Sequence, residues 1–171
     1  MQDEIKTPLA ALDRERRLLF SVQVLRRLEP HYLHFIDSEG LDDEEWIPQV
    51  IDVAELFFSE REEAGTIAAE VLEEIIGAEP HSEDTPELAC AAYALHACFD
   101  VLEQVTGEDP DSAVSVSSLA LSAAEASGGK SKAEEELRFQ SGLIEKIRSA
   151  PLPRLVKETF SVPGERPPAD S

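Results

Sequence analysis

The stretch TPELACAAYALHACFDVLEQV, from Thr85 to Val105, decides the fold that this sequence predicts. Its first three residues are typical of a helix start, because Thr caps free N–H groups, Pro fits the first helical position and Glu suits the positive end of the helix dipole. At ~100° per residue, apolar side chains cover well over half of the circumference, and such a helix is buried. We therefore predict an all-α fold: a single-domain helical bundle of about six to eight helices around a central apolar helix at about 85–106.

One stripe of the central helix breaks its apolar pattern. The stripe contains Ala89, Tyr93, His96, Asp100, Glu103 and Gln104. It is polar from His96 onward, so this side must meet solvent, a partner chain or a small site. The residues to inspect for function are therefore Tyr93, His96, Asp100 and Glu103.

His96 shares this stripe with the carboxylates of Asp100 and Glu103. A carboxylate beside an imidazole favours the charged imidazole and fixes its orientation, and enzymes use such pairs as acid or base. The sequence shows no accompanying nucleophile or oxyanion donor, so an ion pair on the helix surface is the simpler interpretation. No catalytic residue is assigned.

The length and composition of the chain limit its architecture. Its 171 residues are enough for one domain, which we place at 1–160, followed by a Pro-rich flexible tail at 161–171. The sequence has no run of ~20 apolar residues and no secretory signal pattern, so no membrane span is predicted. Cys90 and Cys98 lie ~12 Å apart along one helix, too far for a disulfide, which favours a reduced, cytoplasmic protein.

The net charge of −21 is concentrated in the middle of the chain. Residues 28–129 contain one basic residue, Arg61, against 25 acidic ones, whereas the two flanking regions are slightly basic. Such a field repels nucleic acid and anionic membranes, so neither is expected as a partner. The acidic middle suits docking of a basic protein or of cations, but solubility or a salty habitat explains it more simply.

Helix signals continue on both sides of the central stretch. We predict further helices at about 7–28, 30–39, 42–59, 66–76, 110–128 and 131–149, and one more turn at about 154–160. Pro30 is expected to end the first of them, since proline cannot continue the hydrogen-bond ladder. Val114 and Val116 alternate as in a strand, although the capped ends of that segment favour a helix. Five arginines on the first helix suit either an anion site or, more simply, pairing with the acidic middle.

His31, His34 and Asp37 are a weak metal-site pattern. Helical neighbours three residues apart can share an ion. Without a HExxH pattern or a separate ligand cluster, histidines on a surface or interface are the simpler interpretation, and neither a metal nor a cofactor is predicted. Cys98 could be a reactive thiol, but its apolar neighbours favour a buried, inert one.

Four short stretches of the sequence resemble those of a known protein family. They are LRRLEPHYLHF from Leu25, Gly40-Leu41-Asp42, ALHAC from Ala94 and AVSVSS from Ala113. Together, in order and spacing from about residue 9 to 148, they resemble the bacterial YjaG-like family, a domain of unknown function. The resemblance implies an all-helical cytoplasmic domain and a helix for the serine-rich stretch. The chain departs from that family at His96, where an acidic residue is common, so the resemblance assigns no chemistry to the polar stripe.

Two classes of function follow from these features. The leading hypothesis is a non-enzymatic, soluble helical protein that acts through protein–protein contacts as a homodimer. It rests on the absence of catalytic motifs and on more apolar helix faces than one small bundle needs. The alternative is a small-ligand-binding or metal-binding protein, or an enzyme, that uses His31 and His34 or His96 and Asp100.

Overall fold

The chain folds as a bundle of helices. The structure is a computed structural model that describes residues 3–39, 46–76, 85–107 and 109–161. These residues form seven helices and no strand: α1 (Asp3–Ala10), α2 (Arg14–Glu39), α3 (Trp46–Phe57), α4 (Arg61–Ile76), α5 (Pro86–Thr106), α6 (Asp111–Ser149) and α7 (Leu152–Phe160). The predicted all-α class and helix number are confirmed. The predicted tail lies outside the described residues beyond Ser161.

The central helix is α5, as predicted, and its ends follow the expected chemistry. The Thr85 hydroxyl accepts the N–H of Leu88 at 3.2 Å, and Pro86 occupies the first helical position. At the other end, the N–H of Gly107 donates to the carbonyl of Glu103 at 2.8 Å. Helix α5 packs against α2, α3, α4 and α6, so it is the hub of the bundle.

Small side chains make this hub possible. Ala91, Ala94 and Ala97 of α5 have no exposed surface, and a lone methyl group lets neighbouring helices approach closely. One hydrophobic core takes side chains from all seven helices, from Ile5 in α1 to Leu155 in α7. By length and composition, α5 is also the one described helix that could cross a membrane, but 72% of its most apolar window is buried, and a core helix passes the same test.

The predicted break at Pro30 is wrong, because α2 continues through this residue to Glu39. Proline removes the hydrogen bond to the Arg26 carbonyl and costs about 3 kcal/mol in a helix interior. Leu28 and Tyr32, on either side of Pro30, are both buried in the bundle. Burying each such side chain stabilises by about 1.5–3 kcal/mol, which offsets the lost bond.

Other helix boundaries also differ from the sequence prediction. The predicted start at residue 7 falls inside α1, and a short break before Arg14 separates α1 from α2. Helix α4 begins at Arg61 rather than near Thr66, since Glu62 and Glu63 suit the positive end of its dipole. The predicted caps of α3 at residues 42–43 lie outside the described residues.

The serine-rich stretch is helical, as predicted, and belongs to the long helix α6. Gly129 interrupts α6 with φ +77° and ψ −167°, a backbone conformation open to glycine. At Gly128, an added Cβ would lie 2.1 Å from Cγ of Lys132. The predicted boundary at these glycines is therefore a kink, which separates a first segment, residues 111–128, from a second, residues 130–149.

The arginines of α2 mostly bind the carboxyl ends of neighbouring helices. Their backbone acceptors are the carbonyls of Gln104 and Val105 for Arg14, of Ile147 and Ala150 for Arg16, of Ala10 and Leu12 for Arg17, and of Thr159 for Arg26. Helices α1 and α5 have no basic residue in their own last turn, so α2 supplies the cations that their dipoles favour. Within the described residues, Arg16, Arg17 and Arg27 do not pair with the acidic middle that the sequence favoured as their partner.

Candidate functional site

The structure divides the polar stripe of α5 into exposed and buried residues. His96 and Glu103 are exposed and Tyr93 is half-buried, whereas Asp100 is 5% and Gln104 4% exposed. Of the three surroundings that the sequence left open for this stripe, solvent applies to His96 and Glu103 but not to the buried Asp100 and Gln104. Both lie on the side of α5 that neighbouring helices cover, so two polar groups enter the interior of the bundle.

Asp100 lies between α5 and α6. Its Oδ1 is 4.0 Å from Nε2 of His96, and Ser115 of α6 hydrogen-bonds the carboxylate. Its Oδ2 is buried and has no hydrogen-bond partner among the described residues. Burial raises the pKa of Asp100 to about 6, although the Ser115 hydrogen bond and the charge of His96 oppose this rise. The predicted His96–Asp100 pair is thus a long contact between an exposed imidazole and a buried carboxyl group.

Gln104 extends this arrangement by one helical turn. Its Nε2 donates to Oγ of Ser21 in α2 at 2.8 Å and to the Asp100 carbonyl at 3.4 Å. Its Oε1 is buried and, like Oδ2 of Asp100, has no partner within the described part of the chain. We call Ser21, His96, Asp100, Gln104 and Ser115 the Asp100 cluster. It combines a carboxyl group of raised pKa with two acceptor oxygens that lack donors.

A surface with very little charge surrounds the outer side of this cluster. Between Glu87 and Asp100, and again between Asp111 and Glu125, the sequence has no Asp, Glu, Lys or Arg. The half-buried residues of these two segments are Leu88, Ala92, Tyr93 and Phe99 of α5 and Val114, Ser115, Ser118, Leu119, Ser122 and Ala124 of α6. We call these residues, together with His96, the charge-poor face.

A second candidate is a groove beside His31. Two depressions of about 420 Å³ and 300 Å³ meet there, and both are lined by His31 and Ser127. The first is also lined by Arg27, Pro30, Ala124, Lys132, Glu135 and Glu136, and the second by His34, Pro86, Glu87, Cys90 and Ala126. We call the joint surface the His31 groove. Because it lies where α2, α5 and the kink of α6 meet, it brings together side chains that are far apart in the sequence.

Two of the three predicted metal ligands lie in the same groove. His31 and His34 both line the groove, whereas the Asp37 side chain lies outside what the structure describes. No group of three His, Cys, Asp or Glu residues that could hold a metal ion is present among the described residues. Burial, with a smaller contribution from His34, lowers the pKa of His31, while Glu136 opposes this shift.

The two cysteines are free and buried, in agreement with the sequence prediction that they do not pair. Burial raises the pKa of both thiols, that of Cys98 far more strongly than that of Cys90. A thiol of raised pKa is a poor nucleophile at neutral pH. Cys98 is buried, as predicted, and its burial disfavours a reactive thiol. Cys90 lines the groove, and its Sγ donates to the Ala123 carbonyl at 3.5 Å.

A buried polar cluster supports the groove from behind. Glu136 is 5% exposed, and its Oε1 accepts from Nε of Arg27 at 2.8 Å while its Oε2 accepts from Nε2 of Gln140 at 2.9 Å. Gln140 in turn accepts from the Ser117 hydroxyl and donates to the Ser117 carbonyl at 3.3 Å. We call Arg27, Ser117, Glu136 and Gln140 the Glu136 cluster. Every polar side-chain atom of its three buried members has a partner.

Sequence reasoning missed the Glu136 cluster, although a signal for it exists. In the second segment of α6, Ala133, Glu136, Gln140, Leu143 and Ile147 follow one another at helical spacing, and all are buried. Two polar residues on a buried stripe need hydrogen-bond partners. The sequence could not identify Arg27 as the partner, because about 110 residues separate the two positions and only the packing of α2 on α6 joins them.

Comparison with known proteins identifies a family. A model of the family described as "Protein of unknown function (DUF416)" matches residues 4–146. This range contains all four stretches on which the resemblance to the YjaG-like family rests, while a specific kinship to YjaG stays a prediction. No curated protein and no solved structure matches the chain.

Proposed function

We propose that this chain, which belongs to the DUF416 family of unknown function, is a non-enzymatic interaction module. The module forms a homodimer through the charge-poor face. The observation that carries the proposal is the distribution of charge. In a chain where 30% of residues are charged, α5 and the first segment of α6 present adjoining surfaces that are almost uncharged. The cores of protein interfaces are likewise depleted of charged residues.

The net charge of −21 favours this face over other surfaces for self-association. Two copies repel each other wherever acidic surfaces approach, and the repulsion is weakest where neither copy carries charge. The acidic residues of α3 and α4 that are exposed are Asp52, Glu55, Glu62, Glu63, Glu70, Glu73 and Glu74. A second copy therefore approaches with least repulsion over α5 and α6.

The side chains of the charge-poor face suit close packing. Phe99, Val114 and Leu119 are half-buried and supply apolar area, while Ala92 and Ser118 are small enough for a second backbone to approach. Elsewhere in the described chain, Leu33 is the one exposed large apolar residue, so the core of the monomer already covers most apolar helix faces. The dimer therefore rests on this face rather than on a surplus of apolar helices.

A reducing compartment suits the same protein. Both cysteines are buried and free, so the fold does not depend on a disulfide. We accordingly place the homodimer in the cytoplasm.

Sedimentation velocity at micromolar concentration tests the proposal. We expect a dimer whose association strengthens as salt screens the repulsion between the two acidic chains. Ser118→Glu adds a charge to the charge-poor face and should shift the protein to monomer. Ala69→Glu adds the same charge to the exposed surface of α4 and should leave the dimer intact.

A strict monomer at every salt concentration would overturn the proposal, as would equal effects of the two substitutions. Capture of a basic protein that weakens steeply with salt would point instead to the acidic surface of α3 and α4. The opposite salt responses distinguish these two kinds of interaction.

A further inference from the structure

Arg27 is held in a position to bind a carboxylate. Its Nε donates to Glu136 at 2.8 Å, and its guanidinium group lies over the Phe139 ring, 3.9 Å from the ring centroid. Its two terminal nitrogens have no hydrogen-bond partner among the described residues, and 42% of the side chain is exposed. A guanidinium held at one edge offers two parallel donors at the other, the geometry that binds a carboxylate through both oxygens.

The partners of Arg27 keep it in place. Glu136 is buried and its second oxygen is held by Gln140, so the carboxylate cannot turn away from the guanidinium. The same depression is also lined by Lys132 and by Glu135, whose carboxylate lies 3.4 Å from the Lys132 Nζ, so each of its two carboxylates already has a cation. The two terminal nitrogens of Arg27 are therefore preorganised donors for a ligand carboxylate, and a rigid site loses little conformational entropy on binding.

The other depression of the groove offers the opposite charge. Glu87 lies in its wall, is exposed and has no hydrogen bond or ion pair within the described residues. His31 lies between Glu87 and Arg27 as a lining residue of both depressions. Its lowered pKa leaves the imidazole neutral near neutral pH, so one ring nitrogen can accept a hydrogen bond.

The charge of the whole chain selects among ligand classes. A net charge of −21 opposes the entry of any anion. A molecule with no net charge meets no such barrier, and the terminal nitrogens of Arg27 at one end and the carboxylate of Glu87 at the other give it an orientation.

From these observations we infer that the His31 groove binds a small zwitterion, with its carboxylate at Arg27 and its amino group at Glu87. Free amino acids and short peptides belong to this chemical class. Apart from Ala124, no residue that lines the groove belongs to the charge-poor face, so peptide binding and dimer formation are tested by separate measurements.

Three related peptides test this inference by NMR titration of the full chain. Triglycine carries both charges, N-acetyl-triglycine carries only the carboxylate, and triglycine amide carries only the amino group. We expect triglycine to bind about tenfold more tightly than either blocked peptide, since each lost charge removes one charge-assisted contact. Resonances of His31 and Ser127 should shift on binding.

Two substitutions should show which end of the ligand each charged residue binds. Arg27→Gln should weaken triglycine and N-acetyl-triglycine by about tenfold and leave triglycine amide unchanged. Glu87→Gln should weaken triglycine and its amide and leave the acetylated peptide unchanged. A loss of folding would weaken all three peptides together, so this pattern is specific to the site.

Matched controls remove the same charges elsewhere. Arg138→Gln and Glu74→Gln alter exposed residues outside the groove and should leave the affinity of all three peptides unchanged. The inference is overturned if triglycine causes no shift at the groove, if the three peptides bind equally, or if both groove substitutions weaken the same peptides.

Discussion

Two buried polar clusters contact α6, and they differ in how completely their atoms are paired. In the Glu136 cluster, the carboxylate of Glu136 and the amide of Gln140 have partners on all four polar atoms. In the Asp100 cluster, Oδ2 of Asp100 and Oε1 of Gln104 have none among the described residues. The comparison separates a polar network that makes the bundle rigid from one that costs stability.

The presence of a nearby cation explains this difference. The guanidinium of Arg27 is 2.8 Å from Glu136, whereas among the described residues Asp100 has only the exposed imidazole of His96, 4.0 Å away. A buried carboxylate needs a cation or several donors to stay ionised. Glu136 and Asp100 are buried to the same extent, but only Glu136 is paired with an arginine. Glu136 therefore belongs to a fully paired network, whereas burial of Asp100 costs stability.

Substitution of the two buried glutamines is the strongest test of this comparison. Gln140→Leu should lower the free energy of unfolding by about 3 kcal/mol, because Glu136 and the Ser117 hydroxyl both lose a partner in the interior. Gln104→Leu should cost only about 1 kcal/mol, since its Oε1 has no partner to lose and its Nε2 donates only to two neutral groups, the Ser21 hydroxyl and the Asp100 carbonyl. Urea denaturation measures both, and equal losses would contradict the distinction between the clusters.

The next effect is the pH dependence that Asp100 introduces. Its pKa is raised from 3.8 to about 6 in the folded state, so the folded protein binds this proton more tightly than the unfolded chain. The stability that this proton provides is complete below the unfolded pKa and is lost as pH rises through about 6. A shift of this size corresponds to about 3 kcal/mol at most.

Asp100→Asn removes the titration and keeps the shape of the side chain. We expect this variant to be about 2 kcal/mol more stable than the natural chain near neutral pH, with the difference shrinking as pH falls from about 6 to about 4 and constant below that. Glu15 gives stability the opposite pH dependence, because the hydrogen bond from Arg61 lowers its pKa. The free energy of unfolding is therefore compared between the variant and the natural chain at each pH, so that the contribution of Glu15 cancels. An unchanged difference between the proteins across this range would show that Asp100 does not titrate as described.

The smallest expected effect concerns the carboxyl end of α5, next to the incomplete cluster. Arg14 donates to the carbonyls of Gln104 at 3.3 Å and Val105 at 3.1 Å. Arg14→Met keeps the aliphatic stem and removes these bonds, which should cost about 1 kcal/mol and lower the melting temperature by about 3 °C. Arg154→Met, which removes an exposed pair with Glu158, should leave the melting temperature unchanged. Equal shifts in both variants would contradict a role for Arg14 at the end of α5.

Sequence patterns predicted the helical class and the central helix because these depend on local chemistry. Thr85 and Pro86 mark the start of α5 whatever surrounds them, and the glycines at 128–129 mark the kink in α6 because only glycine readily adopts a positive φ. The prediction at Pro30 was wrong because a local rule met a stronger tertiary effect, the burial of Leu28 and Tyr32 on either side.

The candidate sites were predicted only in part. The sequence singled out the polar stripe of α5 and the histidines of α2, since helical spacing places such residues on one side. It could not show that Asp100 is buried while His96 is exposed, because the two are one turn apart and the difference is set by how α6 covers α5. Nor could it show that His31 shares a groove with Glu87 and Lys132.

The sequence by itself therefore determined which segments are helices, which helix lies at the centre and where charge is absent. These properties follow from side chains within a few residues of one another. Only the tertiary structure decided that Arg27 meets Glu136, that Asp100 has no such partner, and that two depressions meet at His31. Those pairings depend on the packing of α2, α5 and α6, which brings together residues that the chain order keeps apart.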